Sequence, residues 1–185
     1  MQRAHFLIYS VIVSAAIWSA RSASAQSAYA QRNLVSDVPG LAADTDANLL
    51  NPWGIAFSAS SPFWISDNHS GLSTLYDGSG TVQSLVVTIP PPTGAAPPAA
   101  PTGIVFNNTT NFIVVSNAPA RFIFATEDGT IAAWASGANA VLKADNSGSS
   151  AIYKGLALGS AEGSIMATII DNHMSRKLVA DANQV

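Results

Sequence analysis

Residues 51–82, NPWGIAFSASSPFWISDNHSGLSTLYDGSGTV, align without a gap onto residues 100–131, APTGIVFNNTTNFIVVSNAPARFIFATEDGTI, at a constant offset of 49. Eight of the 32 pairs are identical: Pro52/Pro101, Gly54/Gly103, Ile55/Ile104, Phe57/Phe106, Phe63/Phe112, Asn68/Asn117, Gly80/Gly129 and Thr81/Thr130. A third copy opens with Gly155-Leu156-Ala157-Leu158 and continues through Ile165-Met166-Ala167-Thr168. A period near 50 marks a repeated supersecondary unit.

The content of the unit decides its type. Short β-branched and aromatic runs are divided by Gly, Asn, Asp and Ser, which predicts strands and tight turns. In the first copy the runs are 54–57, 63–66, 72–76 and 82–89; in the second they are 103–106, 112–115, 121–125 and 130–134. Neither copy carries a helical spacing of apolar residues over ten or more positions. Four antiparallel strands in each unit describe the blade of a β-propeller, whereas a sandwich gives no reason for a constant offset. The expected fold is therefore all-β: an incomplete β-propeller of about two and a half four-stranded blades, where closed rings have about four to eight.

The remaining segments arrange themselves around the repeats. Residues 1–25 read as a secretory signal peptide. Arg3 supplies the positive start, Phe6 to Ala20 the apolar stretch, and Ala23-Ser24-Ala25 the small-residue cleavage pattern before Gln26. Ala28-Tyr29-Ala30 offers a second cleavage site. The apolar stretch is shorter than the ~20 residues that a membrane span needs, and nothing later in the chain is long and apolar enough to cross. A lead-in at 26–50 carries Leu34-Val35-Ser36, a candidate closing strand. Blade 1 with a proline-rich loop occupies 51–99, blade 2 runs over 100–150, a partial blade 3 over 151–168 and a divergent tail over 169–185. The loop PPPTGAAPPAAP at 90–101 reads as a stiff inter-blade connection, because proline cannot donate to a sheet ladder.

Composition excludes several functions. Hydrophobic residues make up 48% of the 185 and charged residues only 10%. Arg3 and Arg21 fall in the leader, so six basic side chains face eleven acidic ones in the mature chain, a net of −5. That leaves no basic patch for nucleic acid. With no cysteine there is no disulfide, thiolate zinc site, cysteine nucleophile or lipoprotein anchor.

Pro52-Trp53-Gly54-Ile55-Ala56-Phe57 and Phe63-Trp64-Ile65-Ser66-Asp67-Asn68 resemble the NHL-type propeller repeat, whose blades open with Pro-x-Gly-Ile-Ala and continue with an aromatic-x-x-Asp strand. More closely, NLVSDVPGLAADTDANLLNPWGIAF, FWISDN, ARFIFATEDGTIAAW and YKGLALG are similar to an uncharacterised exported bacterial family, some of whose members end in a PEP-CTERM sorting tail. The likeness covers Asn33 to Thr168 and implies an exported propeller of about twice this length, with no established activity. The tail IIDNHMSRKLVADANQV departs from the family pattern, and the chain looks like an N-terminal portion. A truncated product, a half-propeller completed by a second chain and a short open array all fit that departure, in that order of preference.

The strongest enzymatic expectation is a calcium-dependent esterase or lactonase-type propeller hydrolase, which needs Asn, Asp and Glu oxygens converging near the inner strands. In sequences of that type a Pro-Asn-Gly triplet supplies an Asn ligand; here Trp53 and Thr102 occupy the matching positions. Asp67 is the one candidate metal ligand, with Ser116 as its counterpart at the offset of 49. The competing reading makes Asp67 a strand-end residue whose carboxylate accepts backbone N–H bonds. Asp44-x-Asp46-x-Asn48 begins like a calcium loop, but Leu49 and Ile55 stand where Gly and Glu are required.

His69 and His173 lack partners at ligand spacing. Gly159-Ser160-Ala161-Glu162-Gly163 is no nucleophile elbow, and Gly78-Ser79-Gly80 lacks the spacing of a phosphate loop. Glu127-Asp128 sits in a turn where neighbouring side chains diverge. Trp53, Phe63, Trp64, Tyr76, Trp134 and Tyr153 suit either a ligand platform or the filling between blades.

The expected role is therefore an exported binding or scaffold protein, periplasmic or extracellular, for a protein or carbohydrate ligand. It has no catalytic residues, no assigned cofactor, no nucleic-acid partner, and open blade edges suited to self-association. On expression in a bacterium the chain is expected in the periplasm with its N-terminus at Gln26; a chain confined to the cytoplasm and beginning at Met1 would remove the export assignment.

Overall fold

A computed structural model describes residues 29–161, 164–171 and 178–181, with side chains described as far as Gly159. Every described strand lies within residues 32–185. The chain is all-β, built of several antiparallel sheets, none of them closed on itself. The first sheet is a meander of β3 (Pro52–Ala56), β4 (Phe63–Asp67), β5 (Leu72–Tyr76) and β6 (Val87–Thr88), each strand hydrogen-bonded to the next. It is preceded by a short parallel pair, β1 (Val35–Ser36) with β2 (Asp44–Thr45), so Val35 and Ser36 of the candidate closing strand pair within the lead-in itself.

The second sheet has strand order β7 (Pro101–Phe106), β10 (Phe122–Thr126), β11 (Thr130–Trp134) and β12 (Val141–Asp145), again antiparallel throughout. Between its first two strands the chain makes a separate hairpin, β8 (Ile113–Val115) with β9 (Ala118–Pro119). A third sheet follows: β13 (Tyr153–Ala161), β14 (Ser164–Asp171) and β15 (Leu178–Asp181). It runs past Thr168, and β15 lies in the segment read above as a divergent tail.

The hairpin corrects the ungapped repeat. Pro52 faces Asp67 across β3 and β4, and Pro101 faces Thr126 across β7 and β10. The offset of 49 between the prolines thus becomes 59 between Asp67 and Thr126. The run 112–115, expected as a second strand of the sheet, belongs instead to the β8–β9 hairpin. β10 and β11 move up to second and third place, and Val141–Asp145, unassigned in the sequence reading, supplies the fourth strand. The long run 82–89 also contracts, to Val87–Thr88 plus a single bridge from Val82 to Tyr76.

Two apolar layers hold the sheets together. Trp64 and Leu75 pair across β4 and β5, and Phe122 and Trp134 across β10 and β11. All four enter one core with Val87, Ile89, Ile104 and Phe124. The Trp64 and Phe122 rings stack at 4.1 Å and 20°, and Trp134 leans on Trp64 at 4.6 Å. The opposite face of β10 and β11 presents Ile123, Ala125, Ile131 and Ala133, which pack with Phe112, Val114 and Tyr153. Every residue of β10 and β11 is consequently buried, which makes the second sheet a middle layer.

First strands come unusually close. A Cβ added at Gly54 would lie 2.3 Å from the Thr102 carbonyl oxygen, and one added at Gly103 would lie 2.5 Å from the Leu156 backbone nitrogen. Both obstacles are backbone and cannot rotate away. Gly103→Ala is expected to cost about 3 kcal/mol in urea denaturation, at the upper end of overpacking losses. Gly78→Ala, where the space is open, should stay within about 0.5 kcal/mol. Equal midpoints for the two variants would contradict the close approach.

Candidate functional site

The residue before each of these glycines occupies an equivalent place on successive first strands: Trp53-Gly54, Thr102-Gly103 and Lys154-Gly155. Trp53, Thr102 and Lys154, with Ile55, Ile104 and Leu156, line a cleft of about 270 Å³ across β3, β7 and β13. Thr102 is turned inward, its hydroxyl 2.8 Å from the Tyr153 carbonyl and 3.2 Å from that of Ala125. Lys154 places its ammonium 5.0 Å from the centre of the half-exposed Trp53 ring and forms an ion pair with Glu127. A cation over an indole face is attracted by the ring quadrupole.

The network continues along one end of the strands. Asn68 Nδ2 donates to Glu127 Oε2 at 2.9 Å and to the Pro101 carbonyl at 3.3 Å. Asn51 Nδ2 donates to Asn68 Oδ1 at 3.2 Å and lies 3.2 Å from His69 Nε2. Asn51 holds φ at 52°, a left-handed conformation that asparagine tolerates better than most residues. Glu127 is held below the ordinary glutamate range chiefly by its bond from Lys154, against burial that pushes it up, with Asn68 assisting. Asn68 and Glu127 follow directly on the equivalent positions Asp67 and Thr126, so each sheet contributes the residue after the end of its second strand to one shared contact.

Asp67, the candidate metal ligand, is fully buried. Its Oδ2 accepts the Thr74 N–H at 3.0 Å and the Thr74 hydroxyl at 2.8 Å. Its Oδ1 has no hydrogen-bond partner among the described residues. The counterpart is Thr126 rather than Ser116, and Thr126 closes its own turn in the same way: its Oγ1 accepts the Thr130 N–H at 3.1 Å. Nearby Asp46 accepts the Tyr76 hydroxyl at 2.9 Å and caps the following turn through the Asn48 N–H. No group of three or more His, Asp or Glu side chains that could hold a metal occurs among the described residues.

His69 is exposed beside Asn51. Glu127 and Asp128 diverge, Asp128 accepting the Ala100 N–H at 2.7 Å. Trp64, Tyr76, Trp134 and Tyr153 are buried, whereas Trp53 stays half-exposed. Lys154 escaped the sequence reading; extending the residue-before-glycine comparison from Trp53 and Thr102 to the third copy would have found it. His173 and the cleavage site at Ala25 and Gln26 lie outside the described residues.

No family model matches the chain. It is similar to an uncharacterised protein of Acanthamoeba polyphaga mimivirus, with 33% identity over 108 residues, covering 53% of this chain and 24% of that protein. The chain spans about a quarter of the length of this curated relative. No helix among the described residues is long and apolar enough to cross a membrane.

Burial pushes the Asp67 carboxyl up to about 7; the two Thr74 donors pull it down and Asp46 adds to the rise. In the unfolded chain the same group titrates near 4. Between these values the folded state holds the extra proton, so this group makes stability fall as pH rises from about 4 to 7, with no further loss above. Wild type is expected to melt higher at pH 5 than at pH 8, and Asp67→Asn is expected to flatten that difference. An unchanged profile in the variant would assign the dependence elsewhere.

Proposed function

We propose that the chain is part of an exported, NHL-like β-propeller and serves as a binding or scaffold module. Its recognition surface is the cleft across the first strands. Two successive antiparallel meanders stacked face to face, with the next sheet opening on the same Tyr153-Lys154-Gly155 placement, support the propeller reading. The observation that carries the binding role is the Trp53–Lys154–Glu127–Asn68 network beside an open cleft. An aromatic face, a cation, a carboxylate and amides can grip a sugar or a peptide, and they contain no paired nucleophile and base. Export rests on the leader 1–25. Exposed Ile55 on β3, with exposed Phe57 just after that strand and Val82 bridged to Tyr76, favours self-association.

The second reading, a calcium-dependent hydrolase, draws its support from the Oδ1 of buried Asp67, which has no hydrogen-bond partner among the described residues. The two readings separate on one preparation. Immobilised oligosaccharides are expected to retain the protein with or without EDTA, and Trp53→Ala or Lys154→Ala should weaken retention about tenfold, the scale of a lost recognition contact. Calcium-raised melting, together with 4-nitrophenyl acetate hydrolysis that disappears in Asp67→Ala, would overturn binding in favour of catalysis. Light scattering of the same preparation should give a mass above that of one chain; a strict monomer would exclude self-association.

A further inference from the structure

At the other end of the strands, where Phe106, Phe122 and Trp134 face one another in register, a second cleft of about 360 Å³ opens between the first two sheets. Leu75, Leu85 and Phe106 give it an apolar wall, Arg121 and Gln83 border it, and the Trp64 ring forms part of its surface. Its volume lies within the ordinary range for small-molecule sites.

Three observations specify its chemistry. No Asp or Glu among the described residues lines the cleft, although acidic residues outnumber basic ones along the chain. Arg121 is exposed and has no ion pair among the described residues. Ser58, Ser60, Ser61 and Ser84 also stand in its lining, neutral hydroxyl groups that add no negative charge. Arg121, with no carboxylate opposing it in the lining, favours an anion.

We propose that this cleft binds a small organic carboxylate with an apolar body. The carboxylate engages Arg121, and the body lies against Leu75, Leu85 and Phe106. The site is separate from the first-strand cleft and does not depend on what binds there.

The full chain, labelled with 15N-tryptophan, is titrated with sodium octanoate below its micellar concentration, and with octan-1-ol as the neutral comparison. Trp64→Phe assigns the indole signal. Octanoate is expected to move the Trp64 Nε1–H resonance, and octan-1-ol to bind about tenfold more weakly. Arg121→Gln, at an exposed position, should reduce octanoate affinity about tenfold, while Lys154→Gln at the other cleft leaves it unchanged. No octanoate binding, equal affinity for the alcohol, a stationary Trp64 resonance or an indifferent Arg121→Gln would each overturn the proposal.

Discussion

Two glycines, Gly54 and Gly103, let each first strand approach the next to a distance that no side chain would permit. Ordinary face-to-face sheets stand about 10 Å apart, a spacing set by interdigitated side chains. Here that spacing collapses at the first strand and must recover further out, because Trp64, Phe122 and Trp134 lie between the same two sheets. Small residues at the inner edge and large rings beyond it therefore make neighbouring sheets diverge. Thr102, equivalent to Trp53, adds a polar tie at the second junction by donating to the Tyr153 carbonyl. The first-strand cleft is a product of this constraint, since the residues before the glycines come together only where the strands do.

Most of the strand content was legible in the sequence, and the reason is local. The runs 63–66 and 72–76 are β-branched or aromatic and closed by turn residues, and they form the strands Phe63–Asp67 and Leu72–Tyr76. The pairing of strands was less legible. Phe63/Phe112 and Asn68/Asn117 are identities of sequence without equivalence of place, because Phe112 and Asn117 belong to a tight hairpin and hold φ at 60° and 67°. An ungapped comparison rewards the apolar run at 112–115, yet the partner of β7 is Phe122–Thr126. Choosing between two apolar runs depends on long-range packing, and a repeat score contains none.

The polar end of the molecule was legible in part. Asp67 was found because it ends a strand with a recognisable motif, and its turn-closing role is the one that Thr126 performs with a hydroxyl. A carboxylate is more than that role requires: one oxygen closes the turn, and the other is buried with no partner among the described residues. The contact between Asn68 and Glu127 was invisible because their sequence separation of 59 matches no simple repeat. Lys154 was invisible for a different reason. The third copy was recognised from Gly155 onward, one position too late to include it.

The connection from first to second strand is six residues long in the first sheet, 57–62, and fifteen in the second, 107–121. The longer version holds an entire hairpin, with Asn107 bracing its base through bonds to the Asn111 and Ala120 carbonyls. Both versions return the chain to the same pairing, Ala56 with Trp64 and Val105 with Ile123. This corner is thus a natural grafting point. Foreign sequence installed there would be displayed at the far end from Asn68 and Glu127, on a frame whose geometry is already decided by the glycine-bearing strands. Homologous chains would be free to diverge in length at this corner while keeping the same architecture.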